Sequence, residues 1–245
     1  MSESSRVALI TGANKGIGYE ISHQLGAQGI IVLVGARDRA KGEEAAVKLC
    51  AEGIEAAAIQ LDVTDQASIN AAVAFIEKTY GKLDILVNNA GISIPEGRAL
   101  PSELDVDVLK KTYDTNVFGV FAVTKAMLPL LRRSEAGRIV NVSSSVGSLT
   151  KISYPTSYFA TMPPILAYCS SKTALNAITV AFAKELRDTN IKVNAVDPGY
   201  VATDLNNHSG FLTTEQGAAA PVTFATLPVD GPTGGFFEAE GAIPW

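Results

Sequence analysis

Tyr168 and Lys172 stand four residues apart in Tyr168-Cys169-Ser170-Ser171-Lys172. Of the chain's seven tyrosines, Tyr168 alone has a lysine at that spacing. The residues that follow, Thr173-Ala174-Leu175-Asn176-Ala177-Ile178, favour a helix. On a helix, positions i and i+4 share a face, so an ammonium is set beside a phenol. A free phenol has a pKa of about 10. A neighbouring cation favours the phenolate, and such a tyrosine could exchange a proton near neutral pH. One Tyr–Lys pair on a partly solvated helix could equally be chance. The chemistry needs a reactant or cofactor site elsewhere in the chain.

The first twenty residues offer one. Arg6-Val7-Ala8-Leu9-Ile10-Thr11 reads as a buried strand that runs into Gly12-Ala13-Asn14-Lys15-Gly16-Ile17-Gly18 and then into a helical pattern. Strand, glycine-rich turn and helix form a layout in which backbone N–H groups and a helix N-terminus receive a phosphate. The spacing is Gly-x-x-x-Gly-x-Gly, and three glycines alone could be a structural turn. A second strand, Ile30-Ile31-Val32-Leu33-Val34, ends at Gly35-Ala36-Arg37-Asp38. In a dinucleotide site this strand end lies over the adenosine ribose. Arg37 there, with Lys15 in the glycine turn, favours NADPH over NADH, because guanidinium pairs well with a 2′-phosphate. Arg37 as a solvated loop charge is the plainer possibility. Asp38 is the dissenting residue and is expected to point away.

These groups must be positioned by the elements between them. Helices are predicted over 39–52, from about 65 to 80, over 102–133 in one piece or two with Pro129 bending it near its end, and over 165–187. Strands are predicted over 55–61, 83–87, 138–142, 191–196 and 234–237. The alternation implies a parallel, doubly wound sheet of about seven strands with helices on both faces. Ligands of such sheets bind at the strands' carboxyl ends. Gly12–Gly18, Ala36–Arg37, Asp62–Val63 and Asn88-Asn89-Ala90-Gly91 all fall at such ends, as do Ser143-Ser144-Ser145. A serine there could bond a substrate carbonyl or cap a turn. Asn116, in an apolar helical segment, is by itself more simply a bonded core residue.

Taken together, Thr11-Gly12-x-x-x-Gly16-Ile17-Gly18, Asn88-Asn89-Ala90-Gly91, Asn116, the strand-end serine, Tyr168-x-x-x-Lys172 and Pro198-Gly199 resemble the short-chain dehydrogenase/reductases, in that family's order and over nearly the whole chain. Gly12-Ala13-Asn14-Lys15-Gly16 and the ending Gly231-Pro232-Thr233-Gly234-Gly235-Phe236-Phe237…Pro244-Trp245 look most like the NADPH-dependent carbonyl reductase branch. The resemblance implies one Rossmann-like NADP(H)-binding domain over 1–245 that reduces an aldehyde or ketone to an alcohol. It implies a catalytic set of Asn116, Ser144, Tyr168 and Lys172, with Ser145 as runner-up to Ser144. Lys172 would lower the phenol's pKa, and Asn116 would help hold a proton-supplying water chain. The cofactor would meet Gly12, Asn14, Lys15, Gly16, Ile17, Gly18, Arg37, Asp62, Val63, Asn89, Ala90, Gly91, Tyr168, Lys172, Pro198, Gly199, Val201 and Thr203. Asp62 and Val63 would hold adenine; Val201 and Thr203 would meet the nicotinamide carboxamide.

Two rival readings share the fold: a ketoacyl-carrier reductase and a non-catalytic dinucleotide sensor. The absence of Lys and Arg from 200–245 counts against docking of an acidic carrier. The loop 149–164 is longer than usual for the family but shorter than the branch's large insertion, which leaves monomer or homodimer open. Its Tyr154, Tyr158 and Phe159 either line the substrate pocket or pack the loop down. Residues 200–230, of weak periodicity, read as an irregular substrate-binding loop. Cys169 is read as a packing residue rather than a reactive thiol. A net charge of −5 with no basic run gives no reason to bind nucleic acid or an anionic membrane. Two cysteines and two histidines make a metal site improbable. The polar start, Met1 to Arg6, does not read as a signal peptide, and no apolar run approaches a membrane span, so a cytoplasmic protein acting on a small carbonyl substrate is expected.

Overall fold

The computed structural model describes residues 5–245, the side chain of Ala160 apart. Residues 1–4 of the polar start lie outside the described residues. The sheet is built from β1 (Val7–Thr11), β2 (Ile31–Ala36), β3 (Ala56–Gln60), β4 (Ile85–Asn88), β5 (Arg138–Val142), β6 (Lys192–Val196), β7 (Phe236–Glu238) and β8 (Gly241–Ala242). Their order is β3-β2-β1-β4-β5-β6-β7-β8. The first seven are parallel, and β8 returns antiparallel on β7 through Phe237↔Ala242. The short return strand accounts for eight strands where the sequence predicts about seven.

Strand residues alternate faces, and the apolar runs supply both. Val7, Leu9, Leu33, Leu86, Ile139 and Val193 face one side, against Ile69 and Ile76 of α3 (Gln66–Tyr80), Met127 of α5 (Val120–Leu131) and Phe182 of α7 (Leu166–Glu185). Ala8, Ile10, Val32, Val87, Val140 and Val196 face the other. There they meet Ile21 and Leu25 of α1 (Gly16–Gly26), Leu49 of α2 (Arg39–Ala51) and Ala218 and Val222 of α8 (Thr214–Ala225). Each helix end has a local cause. Asp38 turns away from the cavity side and caps α2, accepting from the Lys41 N–H at 3.2 Å. Asp65 caps α3, and Gly81, at φ 72°, closes it.

Two predicted elements differ. The helix predicted over 102–133 starts at Val106 as α4 (Val106–Tyr113), capped by Asp105, and falls into two α-helical pieces with Pro129 inside the second, α5. It widens into a π-helical segment, Asp114–Gly119, that turns Asn116 inward. The stretch 200–230 is not irregular throughout: Thr213 and Gln216 bond each other's backbone N–H groups in a capping box that starts α8. Gly217 and Pro221 mask that helix in the sequence. Between them, α6 (Leu149–Ser153) opens the loop before α7.

At the sheet end opposite Tyr168, Arg138 begins β5 and is 1% exposed. Its guanidinium donates to the carbonyls of Gly137 at 2.7 Å, Asn190 at 3.2 Å and Leu227 at 2.7 and 2.9 Å, pinning the chain beyond α8 to the sheet. Arg138→Met leaves the Asn190 and Leu227 carbonyls without these donors, while the Gly137 carbonyl keeps the Lys192 N–H at 3.0 Å. It is expected to lower unfolding stability by about 2–3 kcal/mol in urea denaturation; an unmoved midpoint would show the tether to be idle.

Candidate active site

The crossover from β1 through α1 and the crossover from β4 through α4 and α5 leave on opposite faces of the sheet. Between the carboxyl ends of β1 and β4 a cavity of about 720 Å³ opens. Its walls hold Gly12, Asn14, Lys15, Gly16, Ile17, Gly18, Arg37, Asp62, Val63, Asn89, Ala90, Gly91, Tyr168, Lys172, Pro198 and Thr203. These sixteen predicted site residues therefore meet at one surface. Four do not line it: Asn116, Ser144, Gly199 and Val201. A smaller cavity of about 400 Å³ between α2, β3 and α3, by Arg39 and Phe75, carries none of the expected chemistry.

The floor near β1 is backbone. Gly12 takes φ 65°, and a Cβ there would sit 3.0 Å from Ala90 Cα. A Cβ on Gly18 would lie 2.4 Å from Asn89 Nδ2, so the turn must be bare to close on the neighbouring strand end. Asn89 seals it by donating to the carbonyls of Thr11 at 2.9 Å and Gly12 at 3.2 Å. Thr11 Oγ1 accepts from the N–H groups of Asn89 and Ala90. The positive end of α1, whose first-turn N–H groups have no intrahelical acceptor, suits a pyrophosphate. Arg37 stands exposed on the rim, with no carboxylate in ion-pair range among the described residues. Lys15 instead pairs with Asp204, whose Oδ1 meets His208 Nε2 at 2.9 Å. Lys15, and His208 after it, hold the Asp204 carboxyl below its ordinary range. Asp204 and His208 also line the cavity, and nothing in their local sequence announced it.

At the other end, α7 carries Tyr168 half-buried and Lys172 only 4% exposed. Lys172 Nζ lies 5.6 Å from the centre of the Tyr168 ring and donates to the Val142 carbonyl at 2.8 Å. The i,i+4 spacing thus yields a cation over the ring face. The expected acidification of the phenol does not follow. Burial pushes the Tyr168 phenol up, with Asp197 and Cys169 adding to it, while burial pushes Lys172 down to about 8 against the raising effect of Asp197. The lysine proton serves a carbonyl, and desolvation outweighs its field at the phenol.

The three serines divide by their hydroxyls. Ser143 Oγ donates to Asn176 at 2.6 Å, and the buried Ser145 donates to Asp197. Ser144, half-exposed and extended at φ −163°, makes no side-chain cap. Asn116 is fully buried: it accepts from the Ile92 N–H at 2.8 Å and donates to the Ile92 carbonyl at 2.9 Å and Ser171 Oγ at 3.0 Å. Ser171 Oγ donates in turn to the Tyr168 carbonyl at 2.7 Å. Val201 turns into the core at 3% exposure, and Gly199 gives its N–H to Asp197. Tyr154 and Tyr158 stay largely exposed and, with Phe159, lie outside the cavity walls. The Cys169 thiol is half-buried and pushed up by that burial. Among the described residues no cluster of His, Cys, Asp and Glu could hold a metal ion, and no helix is long and apolar enough to cross a membrane.

Comparison with known proteins agrees with this geometry. The short chain dehydrogenase family model matches residues 6–210. Short-chain dehydrogenase/reductase 1 of Saponaria officinalis is 39% identical, the match covering 98% of this chain and 96% of that protein. Carbonyl reductase [NADPH] 1 of Bos taurus is 36% identical, with both chains covered completely. The crystal structure of NADPH-bound carbonyl reductase from chicken fatty liver superposes with a TM-score of 0.86 at 27% identity, over 98% of this chain and 99% of that one. A Rossmann-like sheet, a glycine turn open to a dinucleotide and a Tyr–Lys pair on one wall thus coincide with a family match over most of the chain, which belongs to the short-chain dehydrogenases, oxidoreductases that bind a nicotinamide dinucleotide.

Proposed function

We propose that residues 1–245 act as one NADP(H)-binding domain that reduces an aldehyde or ketone of a small molecule to an alcohol. The observation that carries this reading is the Tyr168–Lys172 pair, with Nζ 5.6 Å from the ring centre, on the wall of the cavity that also holds the glycine turn and Arg37. Two similar proteins, the bovine reductase and the chicken one, bear NADPH in their names. Arg37, with no carboxylate in ion-pair range among the described residues, is the group to read a 2′-phosphate; guanidinium–phosphate pairing is strong and bidentate.

The bound reduced nicotinamide supplies a hydride. Tyr168 gives its phenolic proton to the carbonyl oxygen as negative charge gathers there. A raised pKa suits this direction, since the phenol stays protonated at neutral pH. Lys172, over the ring face, stabilises the phenolate left behind, an interaction stronger after transfer than before. Ser144 donates a hydrogen bond to the oxyanion, because Ser143 and Ser145 are committed to Asn176 and Asp197. Asn116 acts through position: it ties the exit of β4 to Ser171, and Ser171 to the Tyr168 backbone.

Tyr168→Phe is expected to lower kcat for reduction of 4-nitrobenzaldehyde about 100-fold or more while NADPH still binds; activity within a few-fold of the parent would refute the assignment. Arg37→Ala should weaken NADPH binding roughly 10-fold or more and leave NADH binding nearly unchanged, read by cofactor fluorescence. Equal losses for both would deny Arg37 the 2′-phosphate. Lys172 is cationic below about 8 and neutral above it. The reduction rate should therefore hold across neutral pH and fall through an alkaline limb near about 8; a limb above pH 10 would argue that Lys172 does not titrate as buried.

A further inference from the structure

Behind the serine turn runs a buried polar chain. Asp197 follows the last residue of β6, is 6% exposed, and precedes Pro198 on the cavity wall. One of its carboxylate oxygens accepts from Ser145 Oγ, and the other accepts from the Gly199 N–H at 3.0 Å. Its own N–H donates to the Phe237 carbonyl at 2.7 Å. Ser145 also receives Lys151 Nζ at 3.2 Å, and Lys151 reaches both Glu238 oxygens at 3.0 and 3.1 Å. The carboxylate thus joins the loop after β5 to the turn after β6, while β7 is tied in by the Asp197 N–H and, through Lys151, by Glu238.

A buried carboxylate is costly, and its retention here has a geometric consequence. Ser145 adjoins Ser144, so whatever holds the Ser145 hydroxyl sets the backbone from which Ser144 projects. Gly199 belongs to the turn after Pro198, so the same carboxylate also sets that wall. We propose that Asp197 is a positioning residue for the reduction: its carboxylate locks the serine turn to the Pro198–Gly199 turn and so fixes Ser144 relative to Tyr168. This rests on the reading of Ser144 and Tyr168 as the reacting pair. The charge has a second effect on the facing side chains. The ionisable groups facing it are Tyr168 and Lys172 on α7; Lys151 on α6 shares its Ser145 partner and pairs with Glu238 on β7, and Cys169 acts on Tyr168. Of these, Tyr168 and Lys172 are both raised by Asp197.

Asp197→Asn keeps the size and an acceptor for Gly199 but removes the charge. Three readouts decide: kcat for 4-nitrobenzaldehyde, the NADPH dissociation constant by fluorescence, and the titration midpoint of Lys172 in the cofactor-free protein by NMR of 13Cε-lysine, assigned with Lys172→Arg. The expected result is a kcat loss of about 10-fold or more, NADPH affinity within roughly threefold, and a Lys172 midpoint lower by about half a pH unit or more. Retained kcat overturns the proposal, and so does lost kcat with an unmoved Lys172 midpoint or with NADPH affinity lost in proportion. Should the variant not fold, Ser145→Ala removes the hydroxyl and leaves the charge. It should lower kcat about fivefold or more at unchanged NADPH affinity, and retained kcat overturns the lock. An inactive parent, or an active Tyr168→Phe, sinks the site reading itself; an active parent with an unaffected Asp197→Asn sinks this inference alone.

Discussion

Neighbouring parallel strands whose crossovers depart on opposite faces cannot both be covered at their carboxyl ends. β1 and β4 are such a pair, and sixteen of the candidate site residues surround the gap they leave. The glycine turn, the Asn89–Ala90–Gly91 exit and the Tyr168 face of α7 come from sites far apart in sequence. They meet because right-handed crossovers return every strand in the same direction, so all strand ends with polar groups fall on one edge.

That edge is polar inside a molecule whose sheet is otherwise apolar on both faces. Its buried side-chain groups are therefore paired, Asn88 Oδ1 excepted. Asn88 donates to Thr124 at 3.0 Å and to Asn141 at 2.8 Å, and Asn141 donates to Thr179 at 2.8 Å, a seam that joins β4 and β5 to α5 and α7. Lys172 extends the seam to the Val142 carbonyl. The seam gives α7 one angular setting on the sheet. A helix held by apolar contacts alone could rotate or slide with little loss; one held by matched donors and acceptors cannot without stranding them.

The site's electrostatics follow from the same packing. A lysine beside a tyrosine suggests an acidic phenol when only the pair is considered. Inside the protein, water withdrawn from both groups disfavours both charged forms, and Asp197 adds negative charge nearby. The pair becomes a protonated acid over a cation that is ready to stabilise its conjugate base. The proposed reduction can use the pair in either state, but the resting state differs.

The strands, the helices around them and the convergence of Gly12, Arg37, Asp62, Asn89 and Tyr168 were legible in the linear chain. Apolar runs, glycine turns and helix spacing are local signals, and parallel topology follows from their alternation. The helix α8 was also written there, as Thr213-x-x-Gln216, but Gly217 and Pro221 obscured it. Other features had no local signature. Asn116 turns inward because of a π-helical widening. Lys15 is drawn to Asp204, and Asp197 reaches Ser145, only after distant strand ends are brought together. Composition and spacing determine which element forms and which face it buries. Which polar atom answers which, and what state a buried ionisable group rests in, depend on solvent exclusion and neighbours that exist only once the chain is packed.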